Sequence, residues 1–143
     1  MVSHKYIYGP CSGDLRTEFV DWLNGITFQP DEKWIFMGDF NFIRSPQNRN
    51  LPGGDMNDIM VFNELISNIG LQELPLKGRT YTWSNMQSQP LLQQLDWFFT
   101  SPSWTVLYPN AMVTALSKCI SEHTPYPSET TVPKTDIFRF ENF

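Results

Sequence analysis

The chain has 143 residues, 41% hydrophobic and 15% aromatic, with a formal net charge of -5 and a pI of about 4.8. That is enough apolar material for one domain core, which disfavours wholesale disorder, and no stretch approaches the roughly 20 apolar residues that cross a bilayer. The acidic balance disfavours passive coating of nucleic acid by Lys and Arg, but it is compatible with a nuclease whose clustered carboxylates bind phosphate once a divalent metal neutralises them.

Met1–Lys5 does not lead into the apolar run of a signal peptide, so an intracellular product, nuclear or cytoplasmic, is expected. Cys11 and Cys119 are too few for a disulfide framework and lack zinc-site spacing; both are read as reduced.

Tyr6-Ile7-Tyr8 is β-prone and stops at Gly9-Pro10, a short strand running into a turn. Leu15, Phe19, Trp22 and Leu23 then recur at helical spacing behind the possible caps Ser12 and Asp14, with Gly25 placed to end the helix. Trp34-Ile35-Phe36-Met37 is a continuous apolar run of the kind buried on both faces, and it ends at Gly38. Residues Ser45 to Asp55, rich in Pro, Asn and Gly, read as an irregular surface loop. Ile59, Phe62, Leu65, Ile66 and Ile69 mark a second helix that Asp55 or Asn57 can cap and Gly70 closes.

Thr80 to Trp83 and Leu95 to Phe99 read as two strands of a hairpin, and Ala111 to Leu116 as a last weak strand. Pro125, Pro127 and Pro133 break regular structure beyond Ser121-Glu122-His123, leaving Thr124 to Phe143 as an extended tail. The alternation of strands and helices predicts a layered mixed α/β fold with a buried sheet.

In Gly38-Asp39-Phe40-Asn41, the two polar residues sit two apart, so an extended chain projects both to one side while Phe40 turns to the core. Past a buried strand, such a carboxylate can orient water or a metal, and the carboxamide can bond a phosphate oxygen. A plain polar turn accounts for those four letters equally well. Asp96 lies inside an apolar strand, where an ionised carboxylate needs a partner, and His123 is the natural one; a water-facing edge Asp is the alternative. Glu122 beside His123 offers a metal ligand next to a group that can stabilise phosphoryl charge. Tyr8 can face the same crevice or pack in the core. Trp83, Ser84 and Asn85 suit contact with a sugar or base, although core filling explains the tryptophan as well.

The order Tyr8-Gly9-Pro10, Gly38-Asp39-Phe40-Asn41, Tyr81-Thr82-Trp83-Ser84-Asn85, Leu95-Asp96 and Ser121-Glu122-His123 resembles the endonuclease/exonuclease/phosphatase (DNase I-like) superfamily. More narrowly, that block, Asn68-Ile69-Gly70-Leu71, the stretch Leu76 to Trp83 and the ending Phe138 to Phe143 look like the endonuclease region of plant LINE-type retrotransposon polyproteins. The resemblance implies a four-layer α/β sandwich and phosphodiester hydrolysis on DNA assisted by magnesium, with manganese as a possible substitute. It implies no membrane partner and no small-molecule cofactor.

By the same resemblance Asp39 activates the attacking water and binds metal with Glu122, and Asn41 holds the phosphate. His123 stabilises the transition state, Asp96 orients His123, and Tyr8 contacts phosphate. Residues 1–123 then form the C-terminal portion of such a domain, and 124–143 a Pro-rich tail.

Two departures matter. The family's first metal-site residues, an Asn and a Glu, precede the Tyr-Gly-Pro segment, and only seven residues precede Tyr8 here. The family's Ser-Asp-His is Ser121-Glu122-His123 in this chain. The expectation is therefore a partial sandwich lacking its opening strands. It would be the remnant of a magnesium-dependent DNA endonuclease, impaired or inactive as an isolated chain and open to self-association through exposed sheet edges. The alternatives are an active endonuclease completed by residues or a partner outside this chain, and a non-enzymatic protein-interaction fragment.

Overall fold

A computed structural model describes residues 1–115 and the backbone of residues 138–141. Nine strands and three α-helices are described: β1 (Val2–Tyr8), α1 (Asp14–Asn24), β2 (Lys33–Asp39), α2 (Met56–Ile69), β3 (Gln72–Glu73), β4 (Leu76–Lys77), β5 (Trp83–Ser84), β6 (Leu92–Gln93), β7 (Asp96–Thr100), α3 (Pro102–Leu107), β8 (Met112–Ala115) and β9 (Phe138–Glu141). The fold is mixed α/β. A four-stranded sheet in the order β1-β2-β7-β3 is its centre, with a three-stranded sheet β4-β8-β9 and the small β5-β6 ribbon beside it.

The central sheet is covered on both faces, as the unbroken apolar run of β2 requires. Alternate residues divide it: Phe36, Trp97 and Phe99 join Leu23 of α1 and Phe62, Leu65 and Ile66 of α2 in one core. Ile35, Met37 and Phe98 face the other way, against Leu74, Trp104, Ala111 and Val113. Phe40, Phe62 and Phe99 are fully buried, and their rings meet edge-on or tilted at centroid separations of 5.3–6.1 Å.

The α2 boundaries follow the sequence signals. The Asp55 carboxylate accepts the N–H groups of Asn57 and Asp58 at 2.8 and 3.2 Å, and Gly70 takes the left-handed conformation (φ 80°) while Leu71 N–H returns to the Ile66 carbonyl. At α1 the expectation is only half met. Neither Ser12 nor Asp14 caps the helix; Gly13 occupies that place with no side-chain bond. Its inward face is Phe19, Val20 and Leu23, whereas Leu15 and Trp22 remain exposed at the rim.

Three further differences have physical reasons. Tyr6–Tyr8 is the end of a longer strand, because β1 pairs in parallel with all of β2 from Val2↔Lys33 to Tyr8↔Asp39. The hairpin is shorter than expected: Trp83–Ser84 pairs with Leu92–Gln93, and the chain then leaves to set β7 antiparallel to β2. Trp97, Phe98 and Phe99 are all buried, so their strand belongs where both sheet faces are covered and not on a two-stranded ribbon. Finally, the segment read as a wholly extended tail contributes β9 at 138–141, paired antiparallel with β8. No helix among the described residues is long and apolar enough to cross a membrane.

A candidate phosphate-binding cleft

The register of the central sheet brings three widely separated residues onto one rung. Tyr8 stands opposite Asp39 in the β1–β2 pair, and Asp39 stands opposite Asp96 in the β2–β7 pair. Directly opposed residues project to the same face of a sheet, so the phenol and the two carboxylates share one end of it. Close backbone approach makes the rung possible. A β-carbon on Gly38 would collide with the Ile7 carbonyl oxygen, and one on Gly9 with the Phe40 carbonyl. Gly9 N–H instead donates to the Asp39 carbonyl at 2.6 Å.

Asn41 reaches this end by a different route from the one its spacing suggests. Strand β2 stops at Asp39, and Asn41 lies in the left-handed region at φ 55°, a conformation asparagine tolerates better than most side chains. The period-two argument therefore does not describe it. What sets Asn41 beside Asp39 is a local bond, its N–H donating to Asp39 Oδ1 at 2.8 Å. Its side-chain Nδ2 donates to the Gly9 carbonyl and ties the Tyr8-Gly9-Pro10 turn to the end of β2. The expected bond from this amide to phosphate is thus left to its second hydrogen.

Burial raises the Asp39 pKa above its ordinary value, and the Asn41 N–H offsets this in part by favouring the ionised form. Beside it is a cleft of about 950 Å³ whose lining includes Tyr8, Gly9, Arg16, Asp39, Asn41, Arg49, Asp58 and Trp83. Tyr8 is 86% exposed, which removes the core-packing alternative. Trp83 lines the cleft and also packs against the buried group Ile43, Ile59 and Leu95.

Ser84 and Asn85 are not among the cleft-lining residues. Ser84 Oγ accepts the Met86 N–H, and Asn85 Oδ1 accepts those of Gln87 and Leu91, so both side chains shape the tip of the ribbon. Asp96 is half-buried, and its N–H, like that of Leu95, donates to Thr82 Oγ1 at 3.0 Å. Glu122 and His123 lie outside the described residues, as does Cys119; Cys11 is a free thiol at the cleft mouth.

Three residues that sequence reasoning passed over contribute here. Arg16 donates to the Asn41 carbonyl at 2.9 Å and to Asp58 Oδ2 at 2.7 Å, with its guanidinium 3.7 Å from the centre of the Phe42 ring. Arg49 also lines the cleft, and buried Thr82 holds the entry to β7. Their signals are weak in sequence: Arg16 is one polar residue of an amphipathic helix, and Arg49 precedes a Leu-Pro-Gly-Gly loop.

Among the described residues no three His, Cys, Asp or Glu side chains come together as a metal site. No family model and no curated protein matches the chain. One solved structure resembles it, "Crystal structure of beta toxin 275-280 from Staphylococcus aureus", at 15% identity and a TM-score of 0.44. The match covers 87% of this chain but only 38% of that one, so the chain spans well under half the toxin's length, and a likeness so loose assigns no family.

Proposed function

We propose that this chain carries the phosphate-handling part of a phosphodiester-hydrolysing centre of the DNase I-like kind, and that its substrate is DNA, as the resemblance to LINE-type endonucleases implies. One observation carries the reading: Tyr8, Asp39 and Asn41 line one large cleft, with Asn41 bonded to Asp39, while Asp96 stands opposite Asp39 on the next strand without being among the lining residues.

Asp39 is the group suited to orient an attacking water. Oδ1 is engaged by the Asn41 N–H, Oδ2 has no hydrogen-bond partner among the described residues, and its raised pKa makes it a better proton acceptor than an ordinary carboxylate. The Tyr8 hydroxyl and the second Asn41 amide hydrogen are donors for a phosphate oxygen. The magnesium that the resemblance implies keeps several of its waters and is held by one or two carboxylates, and Asp39 is the group that would hold it in this cleft. Among the described residues no three acidic or imidazole side chains come together there. No step is therefore routed through a metal, and the proposal is of a chain that binds DNA and cleaves it poorly by itself.

Incubation with supercoiled plasmid and magnesium or manganese tests this. DNA binding should be measurable, and any nicking should be slow and absent in Asp39→Ala. Absence of binding, or nicking undiminished in Asp39→Ala, overturns the reading. A protein-interaction role is the second reading, favoured by one feature. Among the described residues strand β1 is the edge of its sheet, and it exposes Tyr6 at 74% and Tyr8 at 86%, as an edge that pairs with another chain would. Sedimentation showing a monomer at tens of micromolar counts against self-association through that edge.

A further inference from the structure

Arg49 sits in a setting that none of the interactions described so far explains. Its guanidinium lies flat over Gly53: a β-carbon there would be 3.4–3.5 Å from Nη1, Cζ and Nη2 alike, so the group faces that backbone with its plane. Flat stacking leaves its N–H bonds directed sideways, because they lie within the plane. Its Nε is sealed from solvent and has no hydrogen-bond partner among the described residues. Leaving a donor of a charged group buried and unbonded is costly, and few such atoms survive in folded proteins without a reason.

The two neighbouring arginines differ. Arg16 pairs with Asp58 and Arg44 with Glu73, whereas Arg49 has no ion pair among the described residues. It is nonetheless held firmly. Its backbone bridges to Gln93, Asn50 N–H donates to the Leu92 carbonyl, and Gln94 N–H donates to the Asn48 carbonyl, lashing the loop to the β5-β6 ribbon. The residue lines the same cleft as Tyr8, Asp39 and Asn41.

We infer that Arg49 grips a second phosphate of the substrate, beyond the one handled at Asp39 and Asn41, so the cleft selects a polyphosphodiester over an isolated phosphate ester. A planar guanidinium presents paired donors that match two phosphate oxygens, and its weak hydration suits a partly buried site. At about 950 Å³ the cleft lies at the upper end of the roughly 300–1,000 Å³ that takes a whole small ligand, leaving room for more than one phosphate. The Gly53-Gly54 pair, with φ of 118° and 103°, serves as the platform on which the side chain lies. This inference rests on the proposed function for the first phosphate.

The test is fluorescence anisotropy of a labelled 12-nucleotide DNA in EDTA, over a sodium chloride series, with the native chain, Arg49→Gln and Arg49→Lys. Arg49→Gln should weaken binding about tenfold and flatten the dependence of log affinity on log salt by roughly 0.7–0.9, the loss of one phosphate contact. Arg49→Lys should keep most of that salt dependence, because it keeps the charge, yet lose part of the affinity with the planar fork. Thermal melting of each variant separates loss of fold from loss of contact.

Equal affinity and salt dependence in the native chain and Arg49→Gln overturns the inference, as does weaker binding with unchanged salt dependence or no binding by the native chain. If Arg49→Gln behaves as expected but no Asp39-dependent nicking is seen, the anion contact stands and hydrolysis falls. The reverse combination removes Arg49 and leaves the hydrolytic reading intact.

Discussion

Replacing Arg16 with Met, which keeps much of the apolar stem, should destabilise the fold far more than a surface ion pair suggests. Its bond to Asp58 joins groups that are 20% and 39% exposed, so that pair alone is worth about 0.5–1 kcal/mol. The bond to the Asn41 carbonyl at 2.9 Å is different in kind, since a charged donor to a backbone acceptor contributes about 1.5–3 kcal/mol. The guanidinium 3.7 Å above Phe42 adds about 0.5–1 kcal/mol. These terms are not additive because they share one group, and about 2–4 kcal/mol is the expected total. For a chain of this size, that lowers the melting temperature by roughly 6–15 °C. Asp58→Asn removes only the ion pair and should cost about 0.5–1 kcal/mol. Urea unfolding of the native chain and both variants checks the difference. If Arg16→Met and Asp58→Asn agree to within about 0.5 kcal/mol, the carbonyl and ring contacts contribute nothing and the reasoning fails.

Gly9→Ala places a β-carbon against the Phe40 carbonyl and should cost about 1–3 kcal/mol in urea unfolding while weakening DNA binding; an unchanged unfolding midpoint contradicts the close approach. Thr82→Val strips the acceptor from the Leu95 and Asp96 N–H groups and should cost about 2 kcal/mol or more, whereas Thr82→Ser retains most of the stability; a Thr82→Val variant as stable as the native chain beside a destabilised Thr82→Ser would show that the methyl group matters and the hydroxyl does not. The raised Asp39 pKa gives a pH test: the protonated form favours the fold, so its stabilising contribution is present below the ordinary carboxylate range and is lost as pH rises through the folded value. Asp39→Asn, which keeps an oxygen for the Asn41 N–H, should therefore be more stable than the native chain at pH 7, with the gap closing as pH falls through the folded Asp39 value; a variant less stable at pH 7 refutes it.

Local chemistry was legible in the sequence wherever the decisive contact is local. Helix α2 shows this best, because Asp55 and Gly70 act within a turn of the residues they cap. The apolar run at Trp34–Met37 likewise announced a strand covered on both faces, as Ile35, Phe36 and Met37 are. What did not show was anything fixed by register. Whether Leu95 to Phe99 pairs with the preceding strand or with β2 turns on cores built from α1, α2 and β8, which no window of neighbouring residues contains. The candidate site divides the same way. Asp39, Asn41 and Asp96 stood out as polar groups in apolar settings, and the described structure brings all three to one end of the sheet. Arg16, Arg49 and Thr82 did not, because each acts through a partner 13 to 44 residues away or through a loop backbone.

The rung of Tyr8, Asp39 and Asp96 is also poor design for stability, and that bears on what it is for. Asp39 bears a desolvation penalty that its Asn41 N–H only partly offsets. A pair such as Val and Thr at these two positions would pack and twist with the strands at no such penalty. The surrounding structure nevertheless goes to some length to hold the carboxylates there: a glycine at 38 lets β1 approach, a left-handed Asn41 supplies the N–H, and Thr82 anchors the Asp96 backbone. Local strain that several independent contacts maintain is the pattern expected where a site needs charge more than the fold needs comfort. That distinguishes an exposed polar turn from a site, because a turn would relax when its polar groups were neutralised and a held site would keep its backbone. Amide exchange around Gly9 and Asn41 in Asp39→Asn reads this directly. Protection unchanged from the native chain supports a preorganised cleft, and faster exchange at both positions would mean that the carboxylate was holding the turn together.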